Sequence, residues 1–266
     1  MFSYINSRSI KTIVSLGLVG VSILSSTISS QCVSSEDDFR KTKLKRQVGY
    51  KAIDDYVKSG QTIGLGSGST CFFSLERLEQ KLKSHALKDI TVIPTSEFTK
   101  KQCISRNIPI TTLSRVASNN QVVDIVIDGV DEIDADLQMS KGGSGCLLRE
   151  KMIEKAAAQV VIVADDSKLT TQLGTGHPLA IEVTPFSHEY LRKSIESLPS
   201  FYGNARAILR RGQANNNSSD GSEIAVTDNG HYIIDVTLLS SLFNKRITNI
   251  ILGIFFKSNP RCYKGK

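Results

Sequence analysis

Apolar and polar positions along the chain keep switching period. Leu44, Val48, Ala52, Ile53 and Val57 recur at helical spacing inside "DDFRKTKLKRQVGYKAIDDYV", and Gly60 supplies a stop, so this stretch is predicted as a helix. "TIGLGSGST" then reads as a short strand running into a glycine-rich turn, and "CFFSLERLEQKLK" resumes the helical period. The alternation continues with a strand "ITVIPT", a helix from about Glu97 to Arg106, strands "ITTL" and "VVDIVID", a helix "CLLREKMIEKAAA" and a strand "QVVIVA". Strands alternating with helices of this length indicate βαβ units, a mainly parallel Rossmann-like sheet with helices on both faces.

From about Leu173 the texture changes. "LAIEVTP", a helix "SHEYLRKSIESL" capped by Ser187, "ARAILRR" and "EIAVTDNGHYIIDV" follow, and Asn229-Gly230 between two β-rich runs signals a hairpin. The expectation is a second, smaller α+β domain with an antiparallel sheet, interrupted by the polar low-complexity stretch "QANNNSSDGS", which reads as a mobile loop. The first residues form a segment of their own: 1–35 are serine-rich and acid-free, with Arg8 and Lys11 ahead of the apolar stretch Ile13 to Leu24. That stretch is too short to span a bilayer comfortably, so the segment reads as a targeting leader and no stable membrane span is expected in the mature protein. The domain layout is therefore a leader over 1–35, an α/β catalytic domain over 40–172, a small α+β domain over 173–240 and a divergent tail over 241–266.

Charge narrows the function classes. The net charge of +7 over 266 residues is carried by the ends: residues 1–35 hold two basic side chains and 245–266 hold six, with no acid in either. The middle of the chain is at −1 once these eight are removed, so a basic face for nucleic acid is not expected, and the absence of tryptophan agrees. The five cysteines are scattered without a C-x-x-C, and no histidine stands at ligand spacing, which points to a reduced protein without zinc.

Two stretches hold candidate chemistry. In "GLGSGST", Gly64, Gly66 and Gly68 let the backbone bend so that its amides converge, while Ser67, Ser69 and Thr70 add hydroxyls at a helix start, an anion cradle. It lacks the lysine of a P-loop, and Ser69 stands where the dinucleotide fingerprint has its third glycine, so a small phosphate ester fits better than a nucleotide. A purely structural turn with a serine cap is the alternative at this point. The second stretch, "IVIDGVDEIDADLQMSKGGSGCLLREK", places Asp128, Asp131, Glu132 and Asp134 within seven positions after an apolar run. Asp128 ends a buried strand at the carboxyl edge, where open α/β sheets bind ligands. Glu132 and Asp134 read as solvated, and the spacing of a calcium-binding EF-hand is absent. Lys141 precedes a second tight turn, and Glu150 falls early in the next helix. There the helix dipole favours the charged carboxylate by only ~0.3 to 1 kcal/mol, whereas a single pKa unit from crowding and burial is about 1.36 kcal/mol. The prediction is a raised pKa, which suits a base that takes a proton next to a carbonyl.

"GSGST", "DGVDEID", "KGGSGCLLREK", "VIVADDSKL" and "VTDNGHYIIDV", in this order, resemble ribose-5-phosphate isomerase of the A type, over about Leu44 to Val236. The resemblance implies interconversion of ribose 5-phosphate and ribulose 5-phosphate in the non-oxidative pentose phosphate pathway, with no metal or organic cofactor and commonly as a homo-oligomer. It implies that Glu150 moves a proton between C1 and C2 through an enediolate. Asp128 and Asp131 then handle ring opening and the sugar hydroxyls, and Lys141 steadies the oxyanion. The implied substrate-binding set is Ser67, Gly68, Ser69 and Thr70 of the first turn, Gly129 and Val130 beside the acids, and Gly142, Gly143 and Ser144 of the second turn. Lys168 and Lys45 add positive charge for the phosphate. Two departures stand out: Ser144 replaces a third glycine, which would strain the backbone by about 1 kcal/mol if the position needs positive φ, and the tail after "IIDV" keeps only loose similarity. A non-catalytic sugar-phosphate sensor and a CoA transferase-like enzyme are the rival readings. The leader points to a plastid, with a bipartite signal, or to the secretory route, and otherwise the cytoplasm is expected.

Overall fold

The computed structural model describes residues 10–15, 30–201, 203–212 and 222–238, with side chains left out of account for 10–15, 30–36 and 200. The "QANNNSSDGS" stretch up to residue 221, the tail after 238 and most of the leader therefore lie outside the described residues.

In chain order the first unit holds β1 (Ile10–Ser15), α1 (Ser30–Tyr56), β2 (Thr62–Leu65), α2 (Ser69–Lys83), β3 (Thr91–Pro94), α3 (Glu97–Ser105), α4 (Leu113–Ser118), β4 (Val123–Asp128), β5 (Glu132–Ile133), β6 (Met139–Ser140), α5 (Leu147–Ala156) and β7 (Ala157–Asp165). Five of its strands form one sheet in the order β1-β7-β4-β2-β3, every pairing parallel. Central strands of such a sheet are covered on both faces, which is why "VDIVID" and "QVVIVA" read as almost unbroken apolar runs. One face packs Val48, Ala52 and Ile53 of α1 and Leu75 and Leu78 of α2 over Ile63, Leu65, Ile125 and Ile127. The other face packs Val116 of α4 and Ile153 of α5 over Val126, Val160 and Ile162.

After β2 the chain winds out to β3 on one side and then crosses to β4 on the other. Such a reversal opens a crevice at the carboxyl ends of the two strands. The glycine turn leaves β2 and the acidic loop leaves β4, so the topology brings both to one place.

The second unit holds β8 (Leu179–Val183), α6 (His188–Glu196), β9 (Ala205–Leu209) and β10 (Tyr232–Leu238). Its sheet runs β8-β10-β9 with both pairings antiparallel, and Ile195 of α6 joins its core. Leu147, Ala180, Ala225 and Ile233 form a small apolar seam that seats this unit on the start of α5.

Two expectations need correction. "ITTL" is not a strand: only Ile110 bridges Val92, and the Thr112 hydroxyl accepts from the Arg115 amide at 3.2 Å, which starts α4. "EIAV" makes isolated bridges from Ile224 and Val226 in place of a full arm, although the turn itself closes, with Thr227 N donating to His231 O at 2.8 Å. Residues 10–15, within the segment read as a leader, pair in register with Val160–Asp165 and cover the outer edge of β7. Ser144 does not adopt positive φ: Gly142 and Gly145 take the left-handed positions at 121° and 82°, so the expected strain at Ser144 does not arise.

Candidate active site

The first wall of the crevice is the glycine turn. Gly66 follows β2 and lies against Asp128, so close that any Cβ there would overlap the carboxylate. Gly68, at φ 110°, caps α2 and turns the chain so that the first amides of the helix, which have no acceptor within it, open into the cleft. Ser69 and Thr70 stand on this first turn, and Lys45 of α1 reaches over to bond Ser69 Oγ at 3.0 Å. The Ser67 hydroxyl is engaged behind the turn with Thr95, Ser96 and Thr99 at 2.9, 2.6 and 3.2 Å, which ties the turn to the start of α3.

The second wall is the acidic loop. Asp128 is fully buried at the end of β4, and its Oδ1 accepts from the Gly129 amide at 2.7 Å. Asp131 Oδ2 accepts from the Gly143 amide at 2.7 Å, which pins the loop to the second glycine turn. Lys141 lies between the two walls. Its Nζ donates to the Gly129 carbonyl and stands 3.2 Å from Asp128 Oδ1 and 3.4 Å from Glu150 Oε2. Glu150, in the first turn of α5, is 2% exposed.

These burials set the proton affinities. Desolvation, then the neighbouring Asp128 charge, raises the Glu150 carboxyl to about 8, against the pull of Lys141. Desolvation likewise raises Asp128 to about 6. For Lys141, burial works against the charge, but Asp128 and Glu150 outweigh it and hold the ammonium protonated. A buried carboxylate of raised basicity beside a fixed cation is what proton abstraction next to a carbonyl needs, the cation answering the charge that appears on oxygen.

The cleft so formed has a volume of about 180 Å³ and is bordered by Ser67 to Cys71, Gly129 to Asp131, Lys141, Gly142, Ser144, Glu150 and Lys168. Lys168 arrives on a single 3-10 turn after β7. Asp128, Gly143 and Lys45 stand immediately behind this surface, each bonded to a residue that borders it. The structure thus brings every sequence-predicted site residue to one crevice.

Glu132 corrects another expectation. It is 3% exposed rather than solvated, and its carboxylate accepts from Ser140 Oγ and from the Gly174, Gly176 and His177 amides, which clasps the loop before β8 to the acidic hairpin. Asp134 Oδ1 caps its own turn through the Asp136 and Gln138 amides.

Three contributors were not read from the sequence. Arg210 of the small unit grips Asp235 at 2.8 and 2.6 Å and donates to the Gly142 and Gly143 carbonyls at 3.0 and 3.1 Å, so the lysine turn is held from the other domain. Arg149, next to Glu150, donates to Asn229 Oδ1 and Asp228 O, both at 2.9 Å, and holds the other end of the same interface. Cys71, fully buried with Sγ 3.8 Å from Asp128 Oδ1, borders the cleft, and burial raises its thiol far above the usual range, so it sits there as a neutral group. A basic residue reaching across more than sixty positions leaves no periodic trace in sequence, and neither does a small apolar thiol.

Comparison with known proteins agrees with this geometry. The family model for ribose 5-phosphate isomerase A (phosphoriboisomerase A) matches residues 91–256. The ribose-5-phosphate isomerase of Plasmodium falciparum is 40% identical over 72% of this chain and 76% of its own length. A solved ribose 5-phosphate isomerase from Plasmodium falciparum superposes with a TM-score of 0.72 at 36% identity, covering 81% of this chain and 86% of that one. A D-ribose-5-phosphate isomerase solved with phospho-erythronic acid superposes with a TM-score of 0.64 at 31% identity, covering 74% and 79%. Among the described residues no helix is long and apolar enough to cross a membrane.

Proposed function

The chain belongs to the ribose 5-phosphate isomerase A family, and on that premise we propose that Glu150 is the base of an aldose-ketose isomerisation that interconverts ribose 5-phosphate and ribulose 5-phosphate through an enediolate. The observation that carries this reading is the placement of one ammonium, Lys141, 3.4 Å from Glu150 and 3.2 Å from Asp128 at the head of an anion cradle.

Once the sugar is open, the Glu150 carboxylate takes the proton from C2, and the electron pair left behind delocalises onto the carbonyl oxygen at C1. The Lys141 ammonium faces that oxygen and offsets its charge without having to reorganise. The protonated Glu150 then returns its proton to C1, while a hydroxyl proton passes from O2 to O1, which leaves the ketose. Asp131, which borders the cleft, serves ring opening and the hydroxyl exchange. Asp128, buried behind Lys141, holds the ammonium in line and acts through it. The phosphate rests on the first amides of α2 with Ser69 and Thr70, between Lys45 and Lys168, and a related enzyme solved with phospho-erythronic acid supports a phosphorylated sugar chain as the occupant. This chemistry belongs to the non-oxidative pentose phosphate pathway, and no metal enters it.

The test is conversion of ribose 5-phosphate to ketose by the purified protein in the presence of EDTA. Turnover unaffected by the chelator is expected. Tight binding of the sugar phosphate without any ketose would instead identify a sensor.

A further inference from the structure

A second glutamate on α5 shares the Lys141 ammonium and has no part in the reaction as described. Glu154 follows Glu150 by one helical turn, on the same face. It is 3% exposed, its Oε1 lies 3.9 Å from Lys141 Nζ, and its Oε2 lies 4.0 Å from Lys151 Nζ. Among the described residues neither Glu154 Oε1 nor Lys151 Nζ finds a hydrogen-bond partner. Lys141 therefore faces three carboxylates, at 3.2, 3.4 and 3.9 Å.

A plain helix-surface ion pair does not explain this arrangement. Lys151 and Glu154 are both buried, and a buried pair without hydrogen bonds loses more on desolvation than its attraction returns, so an apolar pair of like volume would hold this helix more cheaply. What an apolar pair could not do is place a negative charge one turn from Glu150 and within 3.9 Å of the same ammonium.

We propose that Glu154 is a positioning residue: by drawing on Lys141 and repelling Glu150 it keeps Glu150 a strong base and sets the pH above which the enzyme works. The inference rests on Glu150 being the base. Among the described residues, the charged and titratable groups around Glu154 are Asp128 from β4, Lys141 from the loop before α5, and Glu150 and Lys151 from α5 itself. Burial raises the Glu154 carboxyl, Lys141 and Lys151 pull it down in part, and the Glu150 charge adds to the rise.

The experiment is the pH profile of kcat/KM for the native protein, Glu154→Gln, Glu154→Asp and Lys151→Met, with Glu150→Gln beside them. Removing the Glu154 charge lets Glu150 ionise more easily, so in Glu154→Gln the acid limb moves down by on the order of half to one pH unit. Its plateau kcat falls several-fold because the base is weaker, while KM for ribose 5-phosphate stays put. Lys151→Met removes a cation and moves the limb the other way, and Glu154→Asp keeps the charge and the native limb. If Glu154→Gln fails to fold, the upward shift in Lys151→Met with a native limb in Glu154→Asp decides the matter. Profiles that superpose on the native one overturn the proposal while leaving Glu150 as base. Sustained turnover in Glu150→Gln overturns the base assignment instead.

Discussion

Replacing Lys141 by methionine keeps most of the apolar stem, one atom shorter, and removes the ammonium with its charge and its hydrogen bond to the Gly129 carbonyl. Two charges near 3.3 Å at an effective dielectric constant of about 20 interact by about 5 kcal/mol, and the contacts at 3.2 and 3.4 Å to Asp128 and Glu150 are of this kind. The desolvation of the lysine itself offsets part of that, which leaves roughly 2 to 4 kcal/mol in favour of the ionised acids. Both carboxyls already sit high, Asp128 at about 6 and Glu150 at about 8, chiefly through burial, and loss of the ammonium pushes them further up. The native enzyme is therefore expected to gain activity as pH rises through the window from 6 to 8 in which these acids shed their protons. In Lys141→Met that limb moves to higher pH by at least about one unit, which is tenfold in rate at neutral pH. The lost oxyanion partner lowers kcat by a further 10² to 10³ or so at every pH. Steady-state kinetics on ribose 5-phosphate between pH 6 and 10 would show a fall of about 10³ to 10⁴ at pH 7 that shrinks by about tenfold at the alkaline end. A kcat within tenfold of native, with the limb unmoved, would refute the reasoning that ties Lys141 to both acids.

Other expectations are narrower. Lys168→Ala should raise KM about tenfold or more with kcat nearly unchanged, because its charge serves the phosphate in substrate and transition state alike; a lost kcat at constant KM would count against phosphate binding there. Gly66→Ala places a methyl where the Asp128 carboxylate lies, so a fall in Tm together with loss of most turnover is expected, and a fully active, equally stable variant would contradict the close approach. Deleting residues 1–29 removes β1 and bares the edge of β7, and calorimetry with light scattering should show a lower Tm and aggregation; an unchanged melt would mean that β1 adds nothing.

The parallel sheet was legible because its inner strands are buried on both faces, so apolar runs, helical periods and glycine stops alternate from Thr62 to Asp165, with "ITTL" as the exception. The site was legible for a related reason: a glycine turn and an acidic run at two strand ends, and a glutamate at a helix start, are local signals, and the topology that brings β2 and β4 side by side does the rest. The apolar, β-branched "ITTL" has the composition of a strand, yet its second threonine, Thr112, caps a helix through the nearby Arg115 amide. The rest of what stayed hidden depends on partners distant in sequence. Glu132 looks like one more exposed acid until amides from Gly174 to His177 close on it. The pairing of residues 10–15 left no local trace because its partner strand lies some 150 positions away, and Arg210 is ordinary in sequence until it spans to Gly142.

The central claim is that Glu150 carries a proton between two carbons of the sugar. Turnover of ribose 5-phosphate in D2O, followed by NMR of the product, tests it most directly. Carbon-bound deuterium from the native protein is expected, and none from Glu150→Gln, although in binding assays on that variant inorganic phosphate should still compete with ribose 5-phosphate. Product free of deuterium at carbon from the native enzyme, or label appearing equally fast with glutamine at position 150, would contradict the account.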